Sequence, residues 1–279
     1  MQSHLTPSSF GSISELAASL PPGEKVDAIL VCHDFSDHCH EATLRGAKNQ
    51  ATIFAQGKAR KNIRGWGWFD CVGEIPITRN GAGKSLRELA VNAGMKDPEE
   101  MPENISVAYV PTNNQWDMAG TRLHGATIIS FSLPFCSSDS QSFGVASEYE
   151  LESHSYAIVY VPHGIPASSL TPWRTAHPDV QVLALIHGFD EIDNPWWLAG
   201  TINLGPRSAL PLCDLLSPKV WVATHDEDKE ARGLVARVIK RKRWTVRELR
   251  EKLAQGEKGA GRGVEVRVLE SGEMMLLGA

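Results

Sequence analysis

The chain has 279 residues, 42% hydrophobic and 22% charged, which is enough apolar material for one large core or two small ones. A net charge of −5 and a pI near 6.1 argue against a surface built mainly for nucleic acid, and no apolar run approaches the ~20 residues that span a bilayer. The opening Met1-Gln2-Ser3-His4 has no basic segment followed by an apolar one, so no secretory signal is expected.

Residues 1–24, rich in Ser, Pro and Gly, read as an N-terminal surface segment with a short helix at Ile13–Ser19; residues 25–279 read as a single domain. Val26–Val31 is short, apolar and β-branched at both ends, the pattern of a buried strand. A helix at Glu41–Lys48, a strand at Ala51–Ala55 and a helix at Gly57–Arg64 follow, an alternation that indicates a layered α/β protein. A short strand, Glu74–Ile77, precedes a helix at Leu86–Asn92. Strands at Ser106–Val110, Leu123–Leu133 and Ala157–Val161 have little helical periodicity between them, which predicts a mostly antiparallel sheet. Alternation then returns: a strand at Val182–Ile186, a helix at Ser208–Leu216, a strand at Val220–Ala223, helices at Lys229–Arg241 and Thr245–Leu253, and a last strand at Val264–Leu269. The basic run Arg237–Arg243 is expected at the solvated end of the first of those two helices, where cations complement the dipole.

The five cysteines (Cys32, Cys39, Cys71, Cys136, Cys213) are odd in number and form no Cys-x-x-Cys pair, so reduced thiols in the cytoplasm are expected. Cys32 and Cys39 flank the densest cluster of chemistry-bearing residues and read either as ligands or as buried bystanders.

That cluster is His33-Asp34-Phe35-Ser36-Asp37-His38, with His40 two residues on, directly after a buried strand. Neutral imidazoles beside a carboxylate are natural ligands for zinc, and a loop at a strand end can aim several at one point. The alternative is a polar turn in which Asp37 and His38 cap the next helix.

The strand followed by His33-x-Phe35-x-Asp37-His38 resembles the His-x-His-x-Asp-His loop of the metallo-β-lactamase superfamily. That resemblance implies an αββα sandwich with up to two metals at one edge of the sheets. It also implies later ligands, for which His163 in Tyr160-Val161-Pro162-His163-Gly164 and His225 at the end of Val220–Thr224 are the matches. By the same resemblance, His33 and His163 would share the first metal position, and Asp37, His38 and His225 the second. Phe35 replaces one loop histidine and cannot ligate, so one Zn²⁺ is expected rather than two, with His40 as a conceivable substitute. Asp190 or His187 is a candidate for the family's bridging position. Only 32 residues precede His33, which suggests an incomplete first sheet. The Phe-substituted loop and Thr224-His225-Asp226-Glu227-Asp228 are similar to lactamase-like hydrolases of fungi and plants.

The function so implied is metal-dependent hydrolysis of a small-molecule ester, lactone, amide or phosphoester, with Asp37 as catalytic residue and no nucleic-acid or membrane partner. The competing expectation is a degenerate member of the fold that serves as a binding or scaffold protein. Thr78-Arg79-Asn80-Gly81-Ala82-Gly83-Lys84-Ser85 imitates a phosphate-binding P-loop but begins on threonine, so it reads rather as a Gly-rich helix entrance. Trp66 with Trp68, and Trp196 with Trp197, are two aromatic clusters, the second suited either to a pocket wall or to core packing under a long loop.

Overall fold

The structure is a computed structural model that describes residues 2–4, 7–48, 51–114, 123–134, 153–195, 197, 200–231, 238–255 and 263–278. Near the start, β1 (Gln2–His4) pairs antiparallel with β13 (Lys229–Ala231), and the helix α1 (Ile13–Ala18) buries no residue. The first layer that matters is a parallel sheet of β2 (Ala28–Val31), β3 (Thr52–Ala55) and β4 (Gly73–Glu74). Alternation along these strands sends side chains to opposite faces. Val31, Ile53 and Ala55 pack under Leu44 of α2 (Glu41–Arg45) and Ala59 and Ile63 of α3 (Gly57–Gly65).

The opposite face, with Cys32 and Phe54, meets Val107 and Tyr109 of a second sheet, and α4 (Leu86–Ala93) adds Leu86, Leu89 and Ala90. That second sheet has seven strands in the order β15-β12-β9-β8-β7-β6-β5. The segments β5 (Lys84–Ser85), β6 (Ile105–Pro111), β7 (Gly125–Pro134) and β8 (Ser153–Val161) run antiparallel. From β8 onward β9 (Gln181–His187), β12 (Val220–Val222) and β15 (Glu265–Arg267) run parallel. The outer face of this sheet is covered by α5 (Ala167–Ala176), α6 (Pro206–Leu216) and α7 (Val246–Gln255), with Trp173 and Trp221 almost fully buried. The order helix, sheet, sheet, helix is the expected αββα sandwich. Among the described residues the first sheet has three strands against seven, and Ala184, Val220 and Val222 on the inner face are covered by Leu269, Met275 and Leu277 instead.

Two elements differ from the sequence reading. At its two ends the predicted helix Lys229–Arg241 is strand: β13, and β14 (Lys240–Lys242), which joins β10 (Glu191–Asp193) and β11 (Thr201–Asn203) in a small antiparallel sheet, while positions 232–237 lie outside the described residues. Within the basic run Lys240–Lys242 is therefore strand and not a helix end: Lys240 and Lys242 are exposed while Arg241 turns inward to the buried carboxylate of Asp190. Tertiary pairing of one charge overrides local helix propensity. The helix α5 was not anticipated, since Pro172 and a run of Ser and Thr hide the spacing of Leu170 and Trp173.

The P-loop-like stretch is structural. Ser85 caps α4 by accepting from the Glu88 N–H at 3.0 Å, and Lys84 is bound to Glu88 at 2.6 Å. A Cβ on Gly83 would lie 2.6 Å from the Val107 backbone, so this glycine serves a close strand approach. Trp66 packs against the first-sheet core, and Trp68 is covered by Arg45 at 4.6 Å. Trp197 is exposed, while Trp196, like Cys136, lies outside the described residues.

Candidate metal centre

Each histidine of the candidate site stands just past the carboxyl end of a strand, where α/β sheets collect functional groups. His33 and His38 follow β2, His163 follows β8 and His225 follows β12. The loop after β2 closes on itself, since the N–H groups of His38 and Cys39 both donate to the Phe35 carbonyl, at 2.9 and 2.7 Å. Gly188, after β9, sits between the other two loops: a Cβ there would lie 3.1 Å from the Thr224 carbonyl and 3.3 Å from that of Pro162. A side chain at this position would crowd both loops, which would have to give by a few tenths of an ångström.

The rings converge. His38 Nε2 lies 2.9 Å from His163 Nε2, and ring centroids are 5.2 Å apart for His38 and His225 and 4.6 Å for His163 and His225. Donor atoms of His38, His163 and His225 all fall within 4.8 Å of one another. Asp37 Oδ2 lies 3.5 Å from His225 Nε2 and 4.0 Å from His38 Nε2, with its carboxylate 43% exposed at the mouth of the cluster. Burial, with the neighbouring His225 acting in the same direction, lowers the His163 pKa to about 2. A buried, neutral imidazole with one nitrogen free is what a metal requires.

His33 is placed differently from the pairing implied by the resemblance. The ring is 2% exposed and stands 5.3 Å from His163, but its Nε2 donates to the Leu123 carbonyl at 2.8 Å. Its Nδ1 accepts from the Cys32 thiol at 2.8 Å, and burial pushes that thiol up to about 12, so it keeps its proton. Cys32, His33 and His38 form a second group of donors within 4.8 Å. His163 Nε2 faces His38 Nε2, while the His33 ring stands 5.3 Å from that of His163 with both its nitrogens hydrogen-bonded.

The other candidates have separate duties. His40 precedes α2 and bonds Thr43 Oγ1 at 2.8 Å, so it does not swing in to replace Phe35. His187 is wholly buried and bonds the Gly188 carbonyl and Ser208 Oγ; burial lowers its pKa to about 4. Asp190 takes Arg241 Nε at 2.5 Å and lies in the supporting network.

Three features escaped the sequence reading. Asn203, 1% exposed at the end of β11, accepts from His163 Nδ1 at 2.8 Å, and the Leu204 N–H donates to the His163 carbonyl at 2.9 Å. Asp226 accepts from the N–H groups of Phe189 and Asp190 at 2.6 and 2.8 Å, and burial raises its pKa to about 7. His225 itself adopts φ +64, an unfavourable region for a non-glycine residue, and Arg241 bonds the Asp226 carbonyl beside it at 2.7 Å. No local pattern marks these residues; Asn203 lies in a stretch that reads only as a turn into α6.

The sequence profile of the β-lactamase superfamily domain matches residues 13–225, from α1 to the last histidine of the site. The chain belongs to the β-lactamase superfamily. Superfamily membership gives it the general character of a metal-dependent hydrolase, and the histidine cluster is a group that could hold a metal ion. Among solved structures it is similar to a metallo hydrolase from the hyperthermophilic archaeon Ignicoccus hospitalis, at 17% identity and a TM-score of 0.51, over 94% of this chain and 82% of that one. It is also similar to the CmlA β-hydroxylase E377D mutant, at 14% identity and a TM-score of 0.51, over 91% of this chain but 44% of that one. At these identities the likenesses show the superfamily fold. No curated protein sequence matches the chain. No helix among the described residues is long and apolar enough to cross a membrane.

Proposed function

We propose that this superfamily member is a hydrolase that uses one Zn²⁺ held by His38, His163 and His225, with Asp37 beside it, to cleave a small-molecule ester, lactone, amide or phosphoester. The observation that carries the reading is the facing of His38 Nε2 and His163 Nε2 at 2.9 Å, with His225 and Asp37 beside them. Zinc bonds of 2.0–2.1 Å in a tetrahedron put ligand atoms about 3.3 Å apart, close to the spacings here. The donor set fits: His163 has its Nδ1 proton on Asn203, so its Nε2 offers a lone pair.

When bound, such an ion supplies a hydroxide nucleophile near neutral pH and polarises the scissile group. The chain does the rest. Asp37, half-exposed beside His225, is placed to orient the attacking water and take its proton. Burial keeps His163 neutral, and the three rings are held against one another. Phe35 and the engaged nitrogens of His33 favour one metal position over two.

The test is elemental analysis of purified protein reconstituted with zinc, followed by chelator-sensitive turnover of chromogenic ester, lactone and phosphodiester substrates. The expected result is one zinc per chain, lost in His38→Ala and His225→Ala. A wild-type protein that takes up no zinc overturns the reading and leaves a scaffold role for the fold.

A further inference from the structure

Asn203 has three properties that together are hard to explain by packing. It is 1% exposed, its Oδ1 takes the His163 Nδ1 proton at 2.8 Å, and its Nδ2 has no hydrogen-bond partner. A buried orphan donor costs on the order of 1–3 kcal/mol, so an amide here is a poor choice for stability alone. The acceptor half explains its presence. A carbonyl oxygen only accepts, so His163 must carry its proton on Nδ1 and leave Nε2 bare. The main chain adds a second tie through Leu204 N–H, and one residue earlier the Ile202 carbonyl accepts from His124 Nε2 at 3.2 Å.

The alternative tautomer has a visible consequence. With a proton on Nε2, His163 could only donate at its 2.9 Å contact with His38 Nε2 and would have no lone pair there for a metal. Without Asn203, the buried Nδ1 proton would lose its acceptor, and the Nε2–H form would become the better arrangement.

We propose that Asn203 is a positioning residue that fixes His163 as the Nδ1–H tautomer and so keeps Nε2 open as a metal ligand. The inference rests on the metal site proposed above and assigns the residue that keeps that site receptive. Partners that orient ligand histidines typically contribute 10- to 100-fold, as an order of magnitude, in metal affinity.

The experiment compares wild type, Asn203→Leu and Asn203→Asp by two readouts: the histidine ring ¹⁵N spectrum of metal-free protein, and zinc affinity by chelator competition. Wild type is expected to show His163 as Nδ1–H. Asn203→Leu, similar in volume but without an acceptor, is expected to shift to Nε2–H and to bind zinc about 10- to 100-fold more weakly. Its thermal midpoint without metal should not fall, since an orphan donor is removed. Asn203→Asp keeps an acceptor and is expected to retain the tautomer and bind within a few-fold of wild type. An Asn203→Leu protein that keeps both the Nδ1–H tautomer and the zinc affinity overturns the proposal, as does equal loss in both variants. Should wild type bind no zinc, the proposed function fails, and the tautomer shift between wild type and Asn203→Leu still decides this inference.

Discussion

His38 and His163 are 125 residues apart in sequence, yet their Nε2 atoms stand 2.9 Å apart at the ends of strands from different sheets. The contact is one of several polar ties between the three-stranded layer and the seven-stranded one, with His33 Nε2 on the Leu123 carbonyl and Asp37 beside His225; elsewhere the layers meet through apolar side chains such as Phe54 and Val107.

Ligand substitutions should separate His33 from the other histidines. His163→Ala and His225→Ala are each expected to weaken zinc binding by more than the ~100-fold typical of outer partners. His33→Ala, whose ring nitrogens are engaged with Cys32 and Leu123, should keep zinc stoichiometric while lowering stability. Inductively coupled plasma analysis with thermal unfolding checks both. A zinc-free His33→Ala protein would restore the pairing of His33 with His163.

Acid should unfold the metal-free protein in a defined window. His187 titrates at about 4 in the fold against an ordinary 6.5, because burial disfavours its charge. The unfolded chain therefore takes the proton first as pH drops. Stability is full above 6.5 and is lost progressively between 6.5 and 4, by up to about 3 kcal/mol from this residue. His33, also lowered to about 4 by burial, adds to the same slope. Urea midpoints measured from pH 7.5 to 4.5 should fall, and the fall should be shallower in His187→Leu.

The Arg241–Asp190 pair carries a prediction about the small sheet. Arg241→Met leaves the 4%-exposed Asp190 without its cation, a change that costs roughly 3–5 kcal/mol. It also removes the bond to the Asp226 carbonyl, so the loop with His225 at φ +64 should loosen and zinc affinity should fall with stability. Chemical denaturation and chelator competition on the same variant measure the two losses. Unchanged stability would show the pair to be dispensable.

Gly83→Ala and Lys84→Ala distinguish a structural loop from a phosphate loop. The first drives a methyl into the Val107 backbone at 2.6 Å and should cost about 1–3 kcal/mol. The second breaks an exposed ion pair with Glu88 and should cost under about 0.5 kcal/mol. Nucleotide binding by wild type that vanishes in Lys84→Ala would contradict this.

Much of this architecture is legible in the amino-acid order because its strands are short, apolar and bounded by turn formers. The His33–His38 loop is readable for the same reason: the ligands are neighbours in sequence. His163 and His225 stand out as histidines at strand ends. The direction in which His163 and His33 aim is not legible, since it depends on Asn203 and Leu123, far away in sequence. The strand nature of Lys240–Lys242 is hidden likewise, because only the buried Asp190 gives Arg241 a reason to turn inward.

Gly188, between the carbonyls of Pro162 and Thr224, has a kinetic corollary. The His163 and His225 loops reach each other only after β8, β9 and β12 have docked side by side, and His38 joins from the other layer. In a partly folded chain a metal therefore meets only the donors of the loop after β2, without His163 and His225. Zinc should slow unfolding and leave the refolding rate nearly unchanged, so that occupancy reports completed assembly rather than nucleating it.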